Sequence, residues 1–329
     1  MTIGIKDVAR AAGVSAATVS RVLGDGPVSA ELREKVETAI RATGYRPNLS
    51  ARRLRSQHSR TIGLVVSDIR NPFFTALSRA VEDAAYKAKM RVILCNTDEN
   101  PDREAMYLRL MQEERITGLI YAPTRTTAER IAAMEFDFPV VLVDRAGPGG
   151  HHDCVVIDNG AAAAELVDHL AAAGCRRIAG LFGNTSSTAA ERHDGYAAAM
   201  AARGLPLNAR FIAPDAEAAS RALYELMVAH DRPDAVIASN GLILLGIVKA
   251  LKSLGLTMPA DIAVAGFDNE IWTDLVGPGL TVIEQPVAEI GQAAMALLFE
   301  RLTEPDMARR RIVLSGRLVV RGSSQRRQS

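Results

Sequence analysis

The sequence is poor in cysteine and in aromatic residues. Its 329 residues include only three cysteines, which lie far apart and form no CxxC pair. An odd number of isolated cysteines excludes a framework of disulfide bonds and is typical of proteins from reducing compartments. Aromatic residues make up 5% of the chain, whereas alanine is abundant. This composition is typical of helix-rich α/β proteins.

The sequence also lacks a long hydrophobic run. No stretch of about eighteen consecutive apolar residues occurs, the length at which a run becomes a candidate membrane helix. The first residues, MTIGIKDVAR, carry Lys6, Asp7 and Arg10 where a signal peptide would need an apolar segment. We therefore expect a cytoplasmic protein with no membrane partner.

Sequence motifs of the common enzyme classes are missing. We find no GxGxxG, GxxxxGKS/T, GxSxG or HExxH pattern. His193 follows Ser186 closely in the chain, but not in a context typical of a catalytic triad. His151, His152 and Cys154 lie near one another, although their spacing fits no standard zinc site. We expect no catalytic residues, no bound metal and no cofactor.

Charge is distributed unevenly along the chain. The whole sequence has a net charge of +1, but residues 1–60 hold 11 Lys/Arg and 5 Asp/Glu, a net charge of +6. The remainder has a net charge of −5. A small basic segment in front of a mildly acidic body predicts a polyanionic partner for the segment alone.

The basic segment has the pattern of three short helices. Apolar residues recur at helical spacing, and Gly13 separates the first stretch from the second. Ser15 and Ser29 are positioned to cap the second and third helices, and Gly44 ends the third. Two helices joined by a tight turn predict a helix-turn-helix. An unrelated small helical bundle would fit the periodicity equally well, but the charge favours DNA binding.

The second of these helices carries the chemistry for reading DNA. Arg21 suits the N7 and O6 edge of guanine, and we expect Ala16 and Ala17 to be exposed where they can meet thymine methyl groups or permit close approach. Hydroxyl side chains at a helix N-terminus suit phosphates. The hydroxyl residues are Ser15, Thr18 and Ser20.

From residue 61 onward the pattern changes to short apolar strands that alternate with helices. Continuous runs of Val, Ile and Leu predict parallel sheets covered on both faces. Two such series of similar length predict two lobes. The fold class is therefore α/β, with an all-α headpiece in front of a two-lobed body. Ligands of open parallel sheets bind beyond the carboxyl ends of the strands.

Polar and aromatic residues stand where the predicted strands end. An Asp at a strand end is often only a loop cap, but together these residues supply carboxylates, amides, arginines and a pair of aromatic rings. Planar bidentate groups can hold vicinal hydroxyls, and Phe faces can stack on the C–H surface of a sugar. The candidates are Asn71, Phe73, Phe74, Asp144, Arg145, Asn240, Asp268 and Gln285 at strand ends and Arg192 near a predicted helix start, with Asp68 and Asn184 as further strand-end residues.

Two segments carry a resemblance to a known family. IKDVARAAGVSAATVSRVL (residues 5–23) and VSAELREKVETAIRATGYRPNLSARRLRS (residues 28–56) resemble the headpiece and hinge of the LacI family of bacterial transcription regulators. The resemblance extends over essentially the entire chain. It implies base-reading positions at Ala16, Ala17 and Arg21. Phosphate-contacting positions are implied at Ser15, Thr18, Ser20, Ser29 and Asn48.

One departure from the family affects the first helix. Family members typically cap that helix with Thr, where this sequence has Gly4. Glycine has no side-chain oxygen to accept a hydrogen bond from the first turn. We therefore expect a weaker cap at this end of the headpiece.

The linker NLSARRLRSQHSR (residues 48–60) is polar, rich in arginine and contains one Leu. Taken alone it fits an ordinary basic linker. In the family, this segment folds into a hinge helix when a dimer sits on operator DNA, and a Leu pair wedges into the minor groove. The resemblance implies minor-groove roles for Ala51 and Leu54 and a phosphate contact for Arg52. It also implies a homodimer and a near-palindromic operator.

The body resembles the periplasmic sugar-binding proteins. NPFF at residues 71–74 is similar to a motif of the ribose-binding protein, and the remaining cleft candidates match as well. Gly241 stands where Asp is common, and residues 214–218 lack an expected aromatic residue. The resemblance implies a small-molecule effector, a monosaccharide such as ribose or another aldose, with Asp268 beside Arg192. A purine nucleoside or base, a sugar acid, or a sugar-binding protein without a DNA role remain alternatives.

These observations predict the following domains. Residues 1–47 form a helix-turn-helix headpiece, residues 48–60 a hinge helix or linker, and residues 61–329 an effector-binding and dimerisation body. The N-lobe takes about 61–159 and 286–313, and the C-lobe takes about 160–285 and 314–329.

Overall fold

We describe the protein from a computed structural model, in which residues 3–23, 26–45 and 59–325 are described. The chain divides into two compact units, Met1–Ser59 and Arg60–Ser329. We call them the headpiece and the body. The predicted hinge residues Asn48, Ala51, Arg52 and Leu54 lie outside the described residues.

The described part of the headpiece contains three helices. They are α1 (Ile5–Ala12), α2 (Ala16–Leu23) and α3 (Ala30–Thr43). Val8, Val19 and Val36, one from each helix, are fully buried against one another. Gly13, with φ of +64°, ends α1 and turns the chain into α2. The predicted helix-turn-helix is confirmed.

Side chains cap the headpiece helices largely as predicted. The hydroxyl of Ser15 accepts a hydrogen bond from the backbone N–H of Thr18 at 3.1 Å, and that of Ser29 accepts from the N–H of Leu32 at 3.4 Å. At the start of α1, the carboxylate of Asp7 accepts a hydrogen bond from the N–H of Gly4 at 2.9 Å. Half of a reciprocal capping box therefore remains although Gly4 has no side chain.

Strands and helices alternate through the body. The strands are β1 (Thr61–Val66), β2 (Arg91–Asn96), β3 (Gly118–Tyr121), β4 (Val140–Val143), β5 (Asp153–Ile157), β6 (Ile178–Gly183), β7 (Asn208–Ile212), β8 (Ala235–Ala238), β9 (Ala263–Phe267), β10 (Thr281–Glu284), β11 (Arg311–Leu314) and β12 (Arg317–Val319). The helices are α4 (Pro72–Lys87), α5 (Pro101–Glu113), α6 (Arg125–Ala128), α7 (Asn159–Ala172), α8 (Ser187–Ala202), α9 (Ala216–Val228), α10 (Gly241–Leu254), α11 (Ile271–Leu275) and α12 (Val287–Thr303). Short 3-10 turns occupy Ile131–Ala133, Pro148–Gly150 and Gly322–Ser324.

The strands form two sheets within the described residues. The first has the order β11-β5-β4-β3-β1-β2, with every neighbouring pair parallel. The second has the order β12-β10-β9-β8-β6-β7 and is parallel except for β12, which runs antiparallel to β10. The predicted α/β class with two parallel series is confirmed. We call the first sheet with its helices the N-lobe and the second the C-lobe.

Each sheet is buried between helices, as continuous apolar strands require. Along β1, Leu64 packs on one face with Leu77 of α4, whereas Val65 packs on the other face with Met111 of α5. The C-lobe sheet is covered by α7 and α8 on one face and by α9 and α10 on the other. None of the helices in the described ranges is long and apolar enough to cross a bilayer.

The chain passes between the lobes three times within the body. It leaves the N-lobe after β5 at Asp158, returns after β10 at Gln285, and leaves again between β11 and β12 at Ser315. These crossings hold the lobes side by side with the carboxyl ends of their central strands facing a common cleft.

Candidate functional site

Residues from both lobes line one cleft at the carboxyl ends of the strands. All nine predicted ligand-binding residues belong to this lining: Asn71, Phe73, Phe74, Asp144, Arg145, Arg192, Asn240, Asp268 and Gln285. Asp68 also lines the cleft, whereas Asn184, the other strand-end residue, is exposed outside it. Strand polarity explains the convergence, because parallel strands all end at the same edge of their sheet.

The N-lobe contributes a buried arginine held by a carboxylate. Arg145 is 3% exposed, and its guanidinium donates two hydrogen bonds to Glu99, at 3.0 and 2.5 Å. It also donates to the carbonyl oxygen of Pro123 at 2.8 Å. Although burial opposes the charge, the carboxylates of Glu99 and Asp144 raise the pKa of Arg145. Arg145 is therefore fixed on the cleft wall as a permanent cation.

Asp144 comes directly after β4 and adopts the left-handed conformation, with φ of +65°. Its carboxylate lies 3.2 Å from Nε of Arg145. Burial raises the pKa of Asp144 in spite of that neighbour. A left-handed residue whose largely buried carboxylate has a raised pKa is a typical feature of a ligand site.

Aromatic rings form the N-lobe floor. Asn71 caps α4 by accepting a hydrogen bond from the N–H of Phe73 at 3.1 Å, so Phe73 and Phe74 lie in the first turn of the helix. The two rings are edge to face, with centroids 5.1 Å apart and planes at 82°. Both are nearly buried, at 3% and 4% exposed, and belong to the lobe core as well as to the cleft.

The C-lobe contributes a second buried arginine that is held differently. Nε of Arg192 donates to the side-chain oxygen of Asn159 at 2.8 Å, and Nη1 donates to the carbonyl oxygen of Ser239 at 2.5 Å. Its guanidinium lies 3.9 Å from the ring centroid of Phe267. Burial lowers the pKa of Arg192, and the negative charges of Asp268, Asp144 and Glu191, which accept no hydrogen bond from it, offset this only in part.

Asp268 follows β9 as Asp144 follows β4, and it too is left-handed, with φ of +77°. One oxygen accepts a hydrogen bond from the N–H of Gly241 at 2.8 Å, and the other accepts from the amide of Gln285 at 2.6 Å. The expected contact between Asp268 and Arg192 is not formed, because Arg192 donates its hydrogen bonds to Asn159 and Ser239. The charge of Asp268 acts on Arg192 only at longer range. Asp268 instead ties the start of α10 to the lobe crossing at Gln285.

Helices α7 and α8 approach each other closely just behind Arg192. A methyl group added to Gly195 of α8 would overlap the backbone of Gly160 in α7. Only a residue without a Cβ atom permits this contact. The turn of α8 that carries Arg192 is thereby fixed against the start of α7, where Asn159 lies.

Sequence reasoning missed several lining residues. Glu99 is the most important of them, and the strand-end rule could have found it, because it lies in the loop after β2. The sequence around the polar residues at the start of α8 indicates only helix capping, so it could not have identified them as cleft residues. The missed lining residues are Glu99, Thr185, Ser186, Thr188, Ala189, Pro214, Ser239 and Leu242.

Half of the six DNA-reading candidates at and on α2 are exposed to solvent. Ser15, Ala17 and Arg21 are exposed, as is Ser29 at the start of α3. Thr18 and Ser20 are half-buried. The prediction that Ala16 is exposed is wrong in part, because Ala16 is half-buried and packs on the headpiece core. The side of α2 available to a partner is therefore centred on Ala17 and Arg21.

Comparison with known proteins identifies the family. A model described as bacterial regulatory proteins of the lacI family matches residues 4–48, and a periplasmic binding protein-like domain model matches residues 167–324. The ribose operon repressor of Halalkalibacterium halodurans is 34% identical over 326 residues, which cover 98% of this chain and 97% of that protein. The chain belongs to the LacI family.

Solved structures agree with this LacI-family assignment. The lac repressor dimer bound to operator and the anti-inducer ONPF matches with a TM-score of 0.86 at 26% identity, covering 98% of this chain and 99% of that chain. A LacI-family regulator from Enterococcus faecium with bound ribose matches with a TM-score of 0.71 at 28% identity, covering 80% and 98%. As a LacI-family member, the chain is a DNA-binding transcriptional regulator rather than an enzyme.

Proposed function

We propose that the chain is a homodimeric repressor that binds near-palindromic operator DNA and releases it when a monosaccharide occupies the cleft. The observation that carries this proposal is the convergence of nine predicted ligand-binding side chains, from both lobes, on one cleft. A ligand that contacts both walls favours one angle between the lobes, and this angle is the quantity that such a switch needs.

The charges of the cleft favour a neutral ligand. Four carboxylates line it, from Asp68, Glu99, Asp144 and Asp268, against the arginines Arg145 and Arg192. Glu99 already neutralises Arg145, and Asp68 is paired with Arg70 outside the lining. An anionic ligand would therefore face the two carboxylates of Asp144 and Asp268 with only Arg192 to balance them. Neutral hydroxyl groups can instead donate to the carboxylates. This supports a sugar over a sugar acid.

The aromatic residues also favour a sugar over a purine. A flat base is held best between parallel rings or on an open ring face. The rings of Phe73 and Phe74 meet edge to face, and Phe267 already lies against Arg192. The two LacI-family proteins associated by name or bound ligand with ribose, a repressor and a solved structure, support ribose or a related aldose as the first ligand to test.

We propose that α2 enters the major groove, with Ala17 and Arg21 nearest the base edges and Ala16 beside them. The hydroxyl groups of Ser15, Thr18, Ser20 and Ser29 suit phosphates. For the residues outside the described ranges we keep the predicted roles: phosphate contacts for Asn48 and Arg52, and minor-groove contacts for Ala51 and Leu54. The proposed domains are a headpiece of residues 1–47, a hinge of residues 48–60 and a body of residues 61–329.

An exposed apolar surface on the N-lobe supports dimerisation. Strand β2 is an edge strand, and its Leu94 is 47% exposed. Tyr86, near the end of the neighbouring helix α4, is 77% exposed. We propose that a second copy covers these side chains, because large exposed apolar residues beside a sheet edge are typical of interfaces.

Two measurements on the full-length protein test the proposed function. Calorimetry with D-ribose, other pentoses, hexoses, sugar acids and purine nucleosides should give heat only with a neutral sugar. A gel shift with a near-palindromic operator should then show DNA release at the same sugar concentration, with operator affinity falling steeply as salt rises. A purine or a sugar acid as the only binder would overturn the sugar assignment. Salt-independent or monomeric DNA binding would overturn the repressor assignment.

A further inference from the structure

One part of the N-lobe sheet has no helix over it. Strands β4 and β5 are joined by residues 144–152, and in the described backbone of this connection the helical structure is limited to a 3-10 turn at Pro148–Gly150. Parallel strands are normally joined by a helix that covers the sheet. In place of such a helix, residues of the glycine-rich loop and Ile131 of the turn at Ile131–Ala133 lie beside β4, β5 and β11.

A cavity of about 210 Å³ lies under this loop. Leu142, Cys154 and Arg311 are direct register partners on β4, β5 and β11. Neighbouring residues in register point to the same face of a sheet, so these three side chains form the cavity floor. Leu142 and Cys154 are apolar or weakly polar and belong to the core on that face. Arg311 therefore places a guanidinium at the edge of an apolar floor.

The cavity is surrounded by cationic groups. Arg309, Arg310 and Arg311 all line it and are all exposed. Arg310 forms an ion pair with Glu300. Within the described residues no ion pair joins Arg309 or Arg311 to a carboxylate. Two uncompensated guanidinium groups beside one pocket create a local positive potential.

The buried carboxylate beside the cavity already accepts hydrogen bonds from groups of the protein itself. Asp153 is 1% exposed and accepts two hydrogen bonds from Arg301, at 3.0 and 3.1 Å. It also accepts from the backbone N–H of Arg310 at 2.8 Å. Asp153 therefore stabilises the packing around Arg301 and does not neutralise Arg309 or Arg311.

The same cavity contains His151, His152 and Cys154, the residues that could have suggested a metal. Within the described residues no group of three or more His, Cys, Asp or Glu side chains is arranged to hold a metal ion. Burial raises the pKa of the Cys154 thiol, so it stays protonated and is a poor metal ligand. The surrounding arginines would repel a cation and attract an anion.

We propose that this cavity binds a small molecule carrying a phosphate group, with Arg311 and Arg309 as its main ligands and His151 beside them. Guanidinium groups match phosphate oxygens in two parallel hydrogen bonds. The floor of Leu142 and Cys154 suits the short carbon chain of a phosphorylated metabolite. The site is separate from the cleft, because the two share no lining residue.

Calorimetry on the full-length protein tests this proposal with glycerol 3-phosphate as the probe and glycerol as the uncharged control. We expect glycerol 3-phosphate to bind with a dissociation constant of about 1 mM or tighter, and glycerol not to bind. Arg311→Gln should weaken binding about tenfold or more, and Arg309→Gln by a smaller factor. Inorganic phosphate should compete with glycerol 3-phosphate in the wild type.

Control variants separate this site from general charge effects and from the cleft. Arg109→Gln removes an exposed arginine of α5 in the same lobe and should leave the binding of glycerol 3-phosphate unchanged. Asp268→Ala alters the cleft and should also leave it unchanged. Equal affinity in the wild type and Arg311→Gln, equal loss in Arg109→Gln, or absence of binding at about 10 mM glycerol 3-phosphate would overturn the proposal. Circular dichroism of Arg311→Gln shows that the variant is folded when the comparison is made.

Discussion

The two buried arginines of the cleft come from different lobes and are held in opposite ways. Arg145 of the N-lobe makes a bidentate ion pair with Glu99, and Glu99 and Asp144 raise its pKa against the effect of burial. Arg192 of the C-lobe is hydrogen bonded to neutral groups, and burial lowers its pKa. One arginine is electrostatically satisfied within the protein, and the other is not.

This difference indicates that the two arginines have different roles. The charge of Arg145 is matched by its own lobe, so Arg145 chiefly fixes the loop after β2 to the loop after β4. Arg192 has been moved out of water without an ion pair, which costs free energy that a ligand can recover by supplying acceptors. We therefore expect ligand affinity to depend more on Arg192 and fold stability to depend more on the Arg145 pair.

The largest effect is expected for Arg192→Gln. Glutamine can keep a hydrogen bond to the carbonyl of Ser239 but loses the charge, so ligand affinity should fall by about 2–5 kcal/mol. The unfolding free energy of the unliganded protein should not fall, because removing an unpaired buried charge relieves its desolvation cost and offsets the lost hydrogen bond to Asn159. Calorimetry with the identified ligand and chemical denaturation measure the two quantities. Wild-type ligand affinity in this variant, or a large loss of unfolding free energy, would contradict the different roles proposed for the two arginines.

A smaller effect, on stability, is expected for Glu99→Gln. Glutamine removes the negative charge and one of the two acceptor oxygens that face Arg145, and the side chain of Glu99 is only 16% exposed. The unfolding free energy should fall by about 1–3 kcal/mol. Glu129→Gln, which breaks an exposed pair with Arg125, is the matched control and should change stability by less than about 0.5 kcal/mol. Equal losses in the two variants would contradict the role given to Glu99.

Asp144→Asn should stabilise the unliganded protein. Because burial raises the pKa of Asp144, the native state binds more protons than the unfolded chain between the two pKa values, and stability falls as pH rises through that window. Asparagine removes this cost, so the unfolding free energy at neutral pH should rise by about 0.5–2 kcal/mol. Ligand affinity should fall in the same variant, since the amide accepts hydroxyl hydrogen bonds less strongly.

The pH dependence gives the check on Asp144. Denaturation of the wild type and Asp144→Asn across the acidic range should show their stabilities converging as pH falls. Asp137→Asn changes an exposed aspartate in a loop of the same lobe and should follow the wild type throughout. A stability difference for Asp144→Asn that does not shrink towards acidic pH would exclude the burial of this carboxylate as its cause.

The smallest effect is expected for Asn159→Ala. This change removes one neutral hydrogen bond to Arg192, at 2.8 Å in the wild type, so ligand affinity should fall by about 1 kcal/mol. Asn184→Ala, in the same lobe but outside the cleft lining, should have no effect on affinity. An Asn159→Ala variant with a larger loss than Arg192→Gln would show that Asn159 acts on the ligand directly.

The sequence predicted the walls of the cleft better than the contacts between them. Eight of the nine residues could be found because β-strand runs are recognisable and parallel strands end at one edge, whereas Arg192 lies in α8. The partners of the arginines could not be found in this way. Asn159 and Arg192 are 33 positions apart, and Gln285 and Asp268 are 17 apart, so their pairing depends on how helices pack and where the chain crosses between lobes.

In the headpiece, local signals were sufficient for the helices and their caps, because capping depends on residues three positions apart. The half-buried state of Ala16 was missed because it depends on packing between helices and not on local signals. Alanine is small enough to face either the core or solvent without changing the apolar period, so only the packing of α2 on its neighbours decides its exposure.

The contact between Gly160 and Gly195 has a consequence for changing what the regulator senses. A backbone fixed against a neighbouring backbone cannot move aside to make room, so the C-lobe wall that carries Arg192 offers a designer little adaptable space. The N-lobe wall is built from side chains, with Phe73, Phe74 and Glu99 setting its shape. A biosensor with a new ligand preference is therefore best sought by substituting side chains of the N-lobe wall. The glycine contact should be left intact, so that Arg192 keeps its position while the shape of the opposite wall changes.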